Sequence, residues 1–91
     1  MKYSVRPGIV MTTVCDENLL VSTGKARGKT PYVKSLNSTG AWFWRQFEKI
    51  GESEQIISAA MAEYDIPEET ARSAFNSFAA TLLKEGYIFE E

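Results

Sequence analysis

The sequence of 91 residues contains no histidine and only one cysteine. Without histidine it has neither a Ser-His-Asp triad nor a Cys-His pair, and it lacks the imidazole ligands that transition metals favour. Cys15 has no partner for an internal disulfide, and we interpret it as a small structural or incidental residue rather than a nucleophile. These absences argue against an enzyme and favour a binding protein.

Long apolar runs are also missing. The longest, residues 41–44 and 59–62, are far shorter than the roughly 20 residues that span a bilayer. Residues 1–7 lack the apolar segment of a secretory signal, so the cytoplasm is the expected location. A hydrophobic content of 44% is nevertheless enough to form a modest core. The sequence therefore predicts one globular domain over residues 1–91.

Charge is distributed unevenly along the chain. Residues 1–37 hold six basic and two acidic residues (net +4), whereas residues 38–91 hold four basic and ten acidic residues (net −6). The asymmetry is compatible with an ordinary solvated surface. It is equally compatible with a basic β face that attracts an acidic partner.

Alternating apolar residues predict three strands, at 9–14, 19–23 and 32–36, with a turn at 16–18 that makes the first two a hairpin. Asn37 or Ser38 is a suitable N-cap for a first helix over 39–49, in which Trp44 and Phe47 share a core-facing side. Trp42 points elsewhere on this helix.

Two more helices follow. Ser53 is the predicted cap of the second, which ends before Pro67. Pro67 suits the first position of the third helix, and Gly86 suits its C-terminal cap. Residues 87–89 form an extended tail that covers this helix or pairs with a strand. The predicted fold is α+β and winged helix-turn-helix-like, with a three-stranded antiparallel sheet followed by three helices.

The order of short motifs resembles that of the PqqD family, small proteins of pyrroloquinoline quinone biosynthesis whose fold recurs as the recognition element of ribosomally made, modified peptides. The matching motifs are Arg6-Pro7-Gly8-Ile9, Leu36-Asn37, Thr39-Gly40, Phe43-Trp44, Pro67-Glu68-Glu69 and Leu82-Leu83-Lys84-Glu85-Gly86-Tyr87-Ile88. The loop over residues 24–31 departs from the family pattern in being more basic, and the segment before Pro67 is one residue shorter.

The resemblance implies a cofactor-free peptide-binding protein rather than an enzyme. In the family, the leader segment of a precursor peptide adds as a strand to the sheet edge, in the groove between the third strand and the third helix. The maturation enzyme is a radical S-adenosylmethionine protein or a leader peptidase. The matching edge consists of Tyr32, Val33, Lys34, Ser35 and Leu36, and the facing helix offers Arg72, Phe75, Asn76, Ala79 and Leu83.

Several alternatives stay open. Phe75 is better explained as a core residue, because it shares a stripe with Phe78 and Leu82. Lys34 is equally explained as a charge that protects a sheet edge from aggregation. A winged-helix DNA-binding regulator has the same fold class, but its third helix would be basic. Here that helix carries Arg72 and Lys84 against three glutamates. Nucleic acid and membrane are therefore not expected as partners, while a purely structural subunit remains a third possibility.

Overall fold

The structure, a computed structural model, describes residues 1–24 and 33–91. In chain order its elements are β1 (Tyr3–Val5), β2 (Ile9–Val14), β3 (Glu17–Ser22), β4 (Val33–Leu36), α1 (Ser38–Lys49), α2 (Ser53–Tyr64), α3 (Glu68–Glu85) and β5 (Ile88–Glu90). The predicted α+β architecture, a three-stranded antiparallel sheet followed by three helices, is confirmed.

The three-stranded sheet has the order β2-β3-β4, so β2 and β4 are its edge strands. Only two residues, Cys15 and Asp16, connect β2 to β3, and both have positive φ (50° and 64°). This is the left-handed geometry that matches the twist of a tight hairpin. Because the turn is so short, β3 begins at Glu17 rather than at residue 19 as predicted.

A second, two-stranded sheet joins the two ends of the described chain. β1 pairs antiparallel with β5, with Val5 opposite Ile88 and Tyr3 opposite Glu90. The expected extended tail therefore does pair with a strand. Its partner β1 was not predicted, because three residues are too few to show a periodicity.

The helix ends refine the expected caps. Asn37 caps α1, since its side-chain oxygen accepts a 2.7 Å hydrogen bond from the Gly40 amide. The cap of α2 is Glu52 and not Ser53, because the Glu52 carboxylate accepts from the Gln55 amide while the Ser53 hydroxyl accepts from the N-terminal amino group. Pro67 has extended backbone (ψ 159°) and is the N-cap of α3, whose first residue is Glu68.

The core lies where the three helices pack against both sheets. The largest fully buried side chains are those of Trp44, Tyr87, Phe75, Leu20, Ile56, Leu82 and Ile88. The predicted burial of Trp44 is thus confirmed. Trp42 is partly buried against this core beside Phe43, with ring centroids 5.3 Å apart, and it also packs edge-on against Tyr64 at 5.5 Å.

Two features are absent from residues 1–24 and 33–91. None of the helices there is long and apolar enough to cross a membrane. The same residues include no group of three or more Cys, Asp or Glu side chains that could hold a metal ion.

Candidate functional site

A groove of about 360 Å³ runs between β4 and α3 and ends against the first turn of α1. Its lining residues are Lys34, Ser35, Leu36, Asn37, Thr39, Gly40, Phe43, Ala74, Ser77, Phe78 and Thr81. One wall is a sheet edge and the other a helix, and the lining includes three of the four residues of β4. An extended peptide fits such a shape.

The edge of β4 presents backbone groups to this groove. The Thr23 amide donates to the Gly8 carbonyl at 2.8 Å. In an antiparallel pair of strands, residue pairs that exchange two main-chain hydrogen bonds alternate with pairs that exchange none. The bond between Thr23 and Gly8, together with the register, therefore determines which neighbouring strand the main-chain groups of each residue face. By that alternation Lys34 and Leu36 bond to β3. The amides and carbonyls of Val33 and Ser35 point to the other side of β4, the open edge, where no strand of residues 1–24 and 33–91 pairs with them.

The apolar floor of the groove is built on Phe78. Its ring stacks on that of Phe43, with centroids 5.8 Å apart and planes at 27°, and lies 6.3 Å from the ring of Phe47. Gly40 permits this approach, since a Cβ there would lie only 3.2 Å from the edge of the Phe78 ring. A larger residue at position 40 would push against the ring, so the depth of the floor depends on this glycine.

One end of the groove is crossed by an ion pair. The Lys34 ammonium lies 2.9 Å from the Glu85 carboxylate, and both side chains are mostly buried (22% and 32% exposed). Glu85 lies one helical turn beyond Thr81, on the same row of α3 that lines the groove. Lys34 therefore reaches across from the strand wall to the helix wall.

The strand half of the predicted site coincides with this groove. Lys34, Ser35 and Leu36 line it, and Val33 lies at the open edge with its side chain on the opposite face of the sheet. Tyr32 lies outside the described residues.

The structure places the helix half of the predicted site elsewhere on α3. None of its five residues is among the described lining residues. Phe75 and Ala79 are buried in the core, Asn76 is exposed and Leu83 is partly buried. A role for these residues in binding stays a prediction, because no bound peptide tests it.

Arg72 faces α2 rather than β4. Its guanidinium makes two hydrogen bonds to the Glu54 carboxylate, at 2.9 and 2.8 Å, and a third to Glu68 at 3.0 Å. The hydrogen bonds from Arg72 hold the pKa of the Glu54 carboxyl below its usual value. In return, these carboxylates raise the pKa of Arg72, the bond from Glu54 contributing most. Arg72 thus ties the start of α3 to the start of α2.

The helix residues that do face the groove were missed by the sequence analysis. Ala74, Ser77, Phe78 and Thr81 recur at spacings of three and four and form one row. Three of them are small or weakly polar, so an apolar pattern does not reveal them. The available signal was their position on one flank of the apolar stripe, and choosing the flank requires knowing where β4 lies.

Comparisons with known proteins support a specific family. A solved structure titled "TbiB1 in Complex with the TbiA(beta) Leader Peptide" superposes on this chain with a TM-score of 0.76 at 19% identity, covering 97% of this chain and 99% of that chain. Comparison with curated protein sequences gives no match. The model of the family described as "Coenzyme PQQ synthesis protein D (PqqD)" matches residues 28–88, about two thirds of the sequence. This chain therefore belongs to the PqqD family.

Proposed function

We propose that this protein binds the leader segment of a ribosomally synthesised precursor peptide as an added strand on β4 and presents it to a maturation enzyme. The observation that carries the proposal is the open edge at Val33 and Ser35 beside a groove with an apolar floor. Main-chain hydrogen bonds and side-chain pockets are the two components of strand addition. The similar TbiB1 structure was solved with a leader peptide, which supports the same role here.

The energetics require both components. The open edge supplies two amides and two carbonyls from described residues, and each hydrogen bond contributes about 1 kcal/mol net. Micromolar affinity corresponds to about 8 kcal/mol. The remaining half must come from apolar contact, and Phe78, Leu36 and Ala74 in the groove supply the surface for it. A bound leader should therefore place an apolar side chain over Phe78.

The role proposed is that of a carrier, with the chemistry performed by the partner enzyme. By analogy with the family, that enzyme is a radical S-adenosylmethionine protein or a leader peptidase, and the encounter takes place in the cytoplasm. A protein that delivers a peptide must contact both the peptide and the enzyme.

The first experiment is a calorimetric titration of the protein with the N-terminal segments of short peptides encoded beside it. We expect saturable binding at or below micromolar concentration. Val33→Pro should weaken it about three- to tenfold, because proline removes one edge donor while the ladder to β3 stays intact. Val33→Thr is the matched control, since it keeps the amide and the side-chain shape and should bind like the parent.

Two outcomes would contradict the proposal. If the proline variant and the parent bind the peptide with equal affinity, β4 is not part of the binding site. Absence of binding to any of these peptides, together with a salt-sensitive shift of random duplex DNA by the same sample, would favour a winged-helix DNA-binding regulator instead.

A further inference from the structure

The face of the three-stranded sheet that points away from the helices is apolar and exposed. Strand alternation places Val10, Val21 and Val33 in one row across the three strands, each directly opposite the next. Val10 is 51% exposed and Val33 47%. We call this the outer face; its remaining members are Thr12, Val14, Glu17, Leu19 and Ser35.

Charge is nearly absent from the outer face. Of its eight described residues, Glu17 alone is ionisable, and its carboxylate accepts a hydrogen bond from the Ser35 hydroxyl at 2.7 Å. An antiparallel sheet with one face on a core normally presents polar side chains to water on the other. A row of half-exposed valines marks an interaction surface more often than a solvated one.

The outer face is continuous with the proposed peptide site. Val33 and Ser35 contribute their side chains to this face, and their backbone groups point to the open edge of β4, where no described strand pairs with them. Side chains of an added strand would alternate between the groove and the outer face. A bound leader would thus extend the row of valines by one strand.

We propose that the outer face is the docking surface for an uncharged, aliphatic surface of the maturation enzyme, and that the bound leader completes it. The inference rests on the proposed function, because it requires a leader on β4. The enzyme then contacts carrier and leader together, and it binds the loaded carrier more tightly than the empty one. Val10 lies on β2, roughly 14 Å from the added strand, since strands are about 4.8 Å apart.

A second copy of this chain fits the outer face less well than the enzyme. The face has eight described residues, of which Val10, Val14 and Val33 are about half exposed, whereas a stable interface takes about 20 residues or more on each side. A stable dimer buries about 800 Å² on each partner. A face of this size suits a contact that forms during delivery and is released afterwards, and the added leader strand enlarges it only when a peptide is present.

The test uses the full chain, the leader of the precursor encoded beside it and the maturation enzyme encoded with both. Val10→Lys introduces a charge on the far edge of the outer face. It should weaken enzyme binding at least tenfold in calorimetry and slow modification of the precursor, with leader affinity unchanged within twofold. Val10→Thr keeps the shape of the side chain, so it should weaken enzyme binding less than Val10→Lys does and should keep a native circular dichroism spectrum. Ala80→Lys, on the exposed side of α3, adds the same charge and should change neither affinity.

Three results would overturn the inference. If Val10→Lys leaves both enzyme binding and leader binding unchanged, the outer face is not the docking surface, and the proposed function is unaffected. If the parent protein does not bind the leader, both the proposed function and this inference are wrong. A dimer in sedimentation that Val10→Lys dissociates would assign the face to a second copy of the chain.

Discussion

At the scale of single residues, the Lys34–Glu85 pair has the greatest consequence for binding. Lys34 lines the groove, and its ammonium is held 2.9 Å from the Glu85 carboxylate. Glu85 is in the last turn of α3, where the negative end of the helix dipole disfavours a carboxylate. A leader carboxylate that binds Lys34 would have to compete with Glu85 for the same ammonium.

This competition predicts opposite effects for two changes that each remove one charge of the pair. Glu85→Gln should strengthen the binding of an acidic leader about two- to threefold, because Lys34 loses its internal partner, and Lys34→Gln should weaken it by a similar factor. Titrations at low and high salt measure both effects, which should shrink as salt rises. Glu69→Gln, an exposed change at the other end of α3, controls for net charge. A loss of affinity in both groove variants would mean that the pair only maintains the groove's shape.

Arg72 gives a second residue-scale prediction, on stability. The Glu54 pKa is lowered by hydrogen bonds from Arg72, so this pairing stabilises the fold at neutral pH and is lost as pH falls through the lowered pKa. Arg72→Gln should therefore reduce the free energy of unfolding at pH 7 by more than at about pH 3. Urea denaturation at both pH values measures the difference. A destabilisation independent of pH would show that the ion pair contributes little.

At the scale of elements, the rotation of α3 about its axis decides which residues face β4. Consecutive helical residues differ by about 100°. Asn76 and Ser77 are therefore neighbours in sequence but lie on different sides of the helix. Asn76 belongs to the set predicted from the sequence, whereas Ser77 lines the groove.

One pair of variants separates these two assignments. Ser77→Lys should lower leader affinity at least tenfold, because it places a long charged side chain in the groove, whereas Asn76→Lys should have little effect. Both positions are exposed, so both variants should fold. Leader titration and circular dichroism are the measurements. If Asn76→Lys weakens leader binding more than Ser77→Lys does, the leader binds the face of α3 that was predicted from the sequence.

At the scale of the whole molecule, β1 ties the two ends of the described chain to the turn between α1 and α2. The Tyr3 amide donates to the Gly51 carbonyl at 2.8 Å, while β1 pairs with β5 on its other side. Gly51 has φ +77°, and a Cβ there would lie 2.6 Å from the Tyr3 carbonyl oxygen. A glycine at this position is therefore required both by its dihedral and by the close approach of β1.

Substitution of glycine by alanine separates these two requirements. Gly51→Ala should lower the free energy of unfolding by about 3 kcal/mol, from the strained dihedral and the clash together. Gly24 also has positive φ (+47°), but the space around it is open. Gly24→Ala should therefore cost only about 1 kcal/mol. Urea denaturation compares the two, and equal losses would mean that β1 moves aside without cost.

Local patterns in the sequence were enough to predict the main elements, including the strand whose residues Lys34, Ser35 and Leu36 line the groove. Period-two alternation predicted β2 at its observed bounds. The Asn37 cap marked the start of α1, and the Gly86 cap marked the end of α3. These signals are local, because strand periodicity and capping depend on residues within a few positions of one another. The order of the elements indicated the fold class, and the short motifs placed along them suggested the family.

Tertiary structure alone decided the helix half of the groove, the pairing of β1 with β5 and the uncovered outer face. The apolar stripe of α3 required burial, but which of its flanks faces β4 depends on how the helix packs against a strand more than 30 residues earlier in the chain. Likewise, the row of valines across the sheet exists only once the register aligns three strands. Such features are set by contacts between distant residues, and no local pattern in the sequence encodes them.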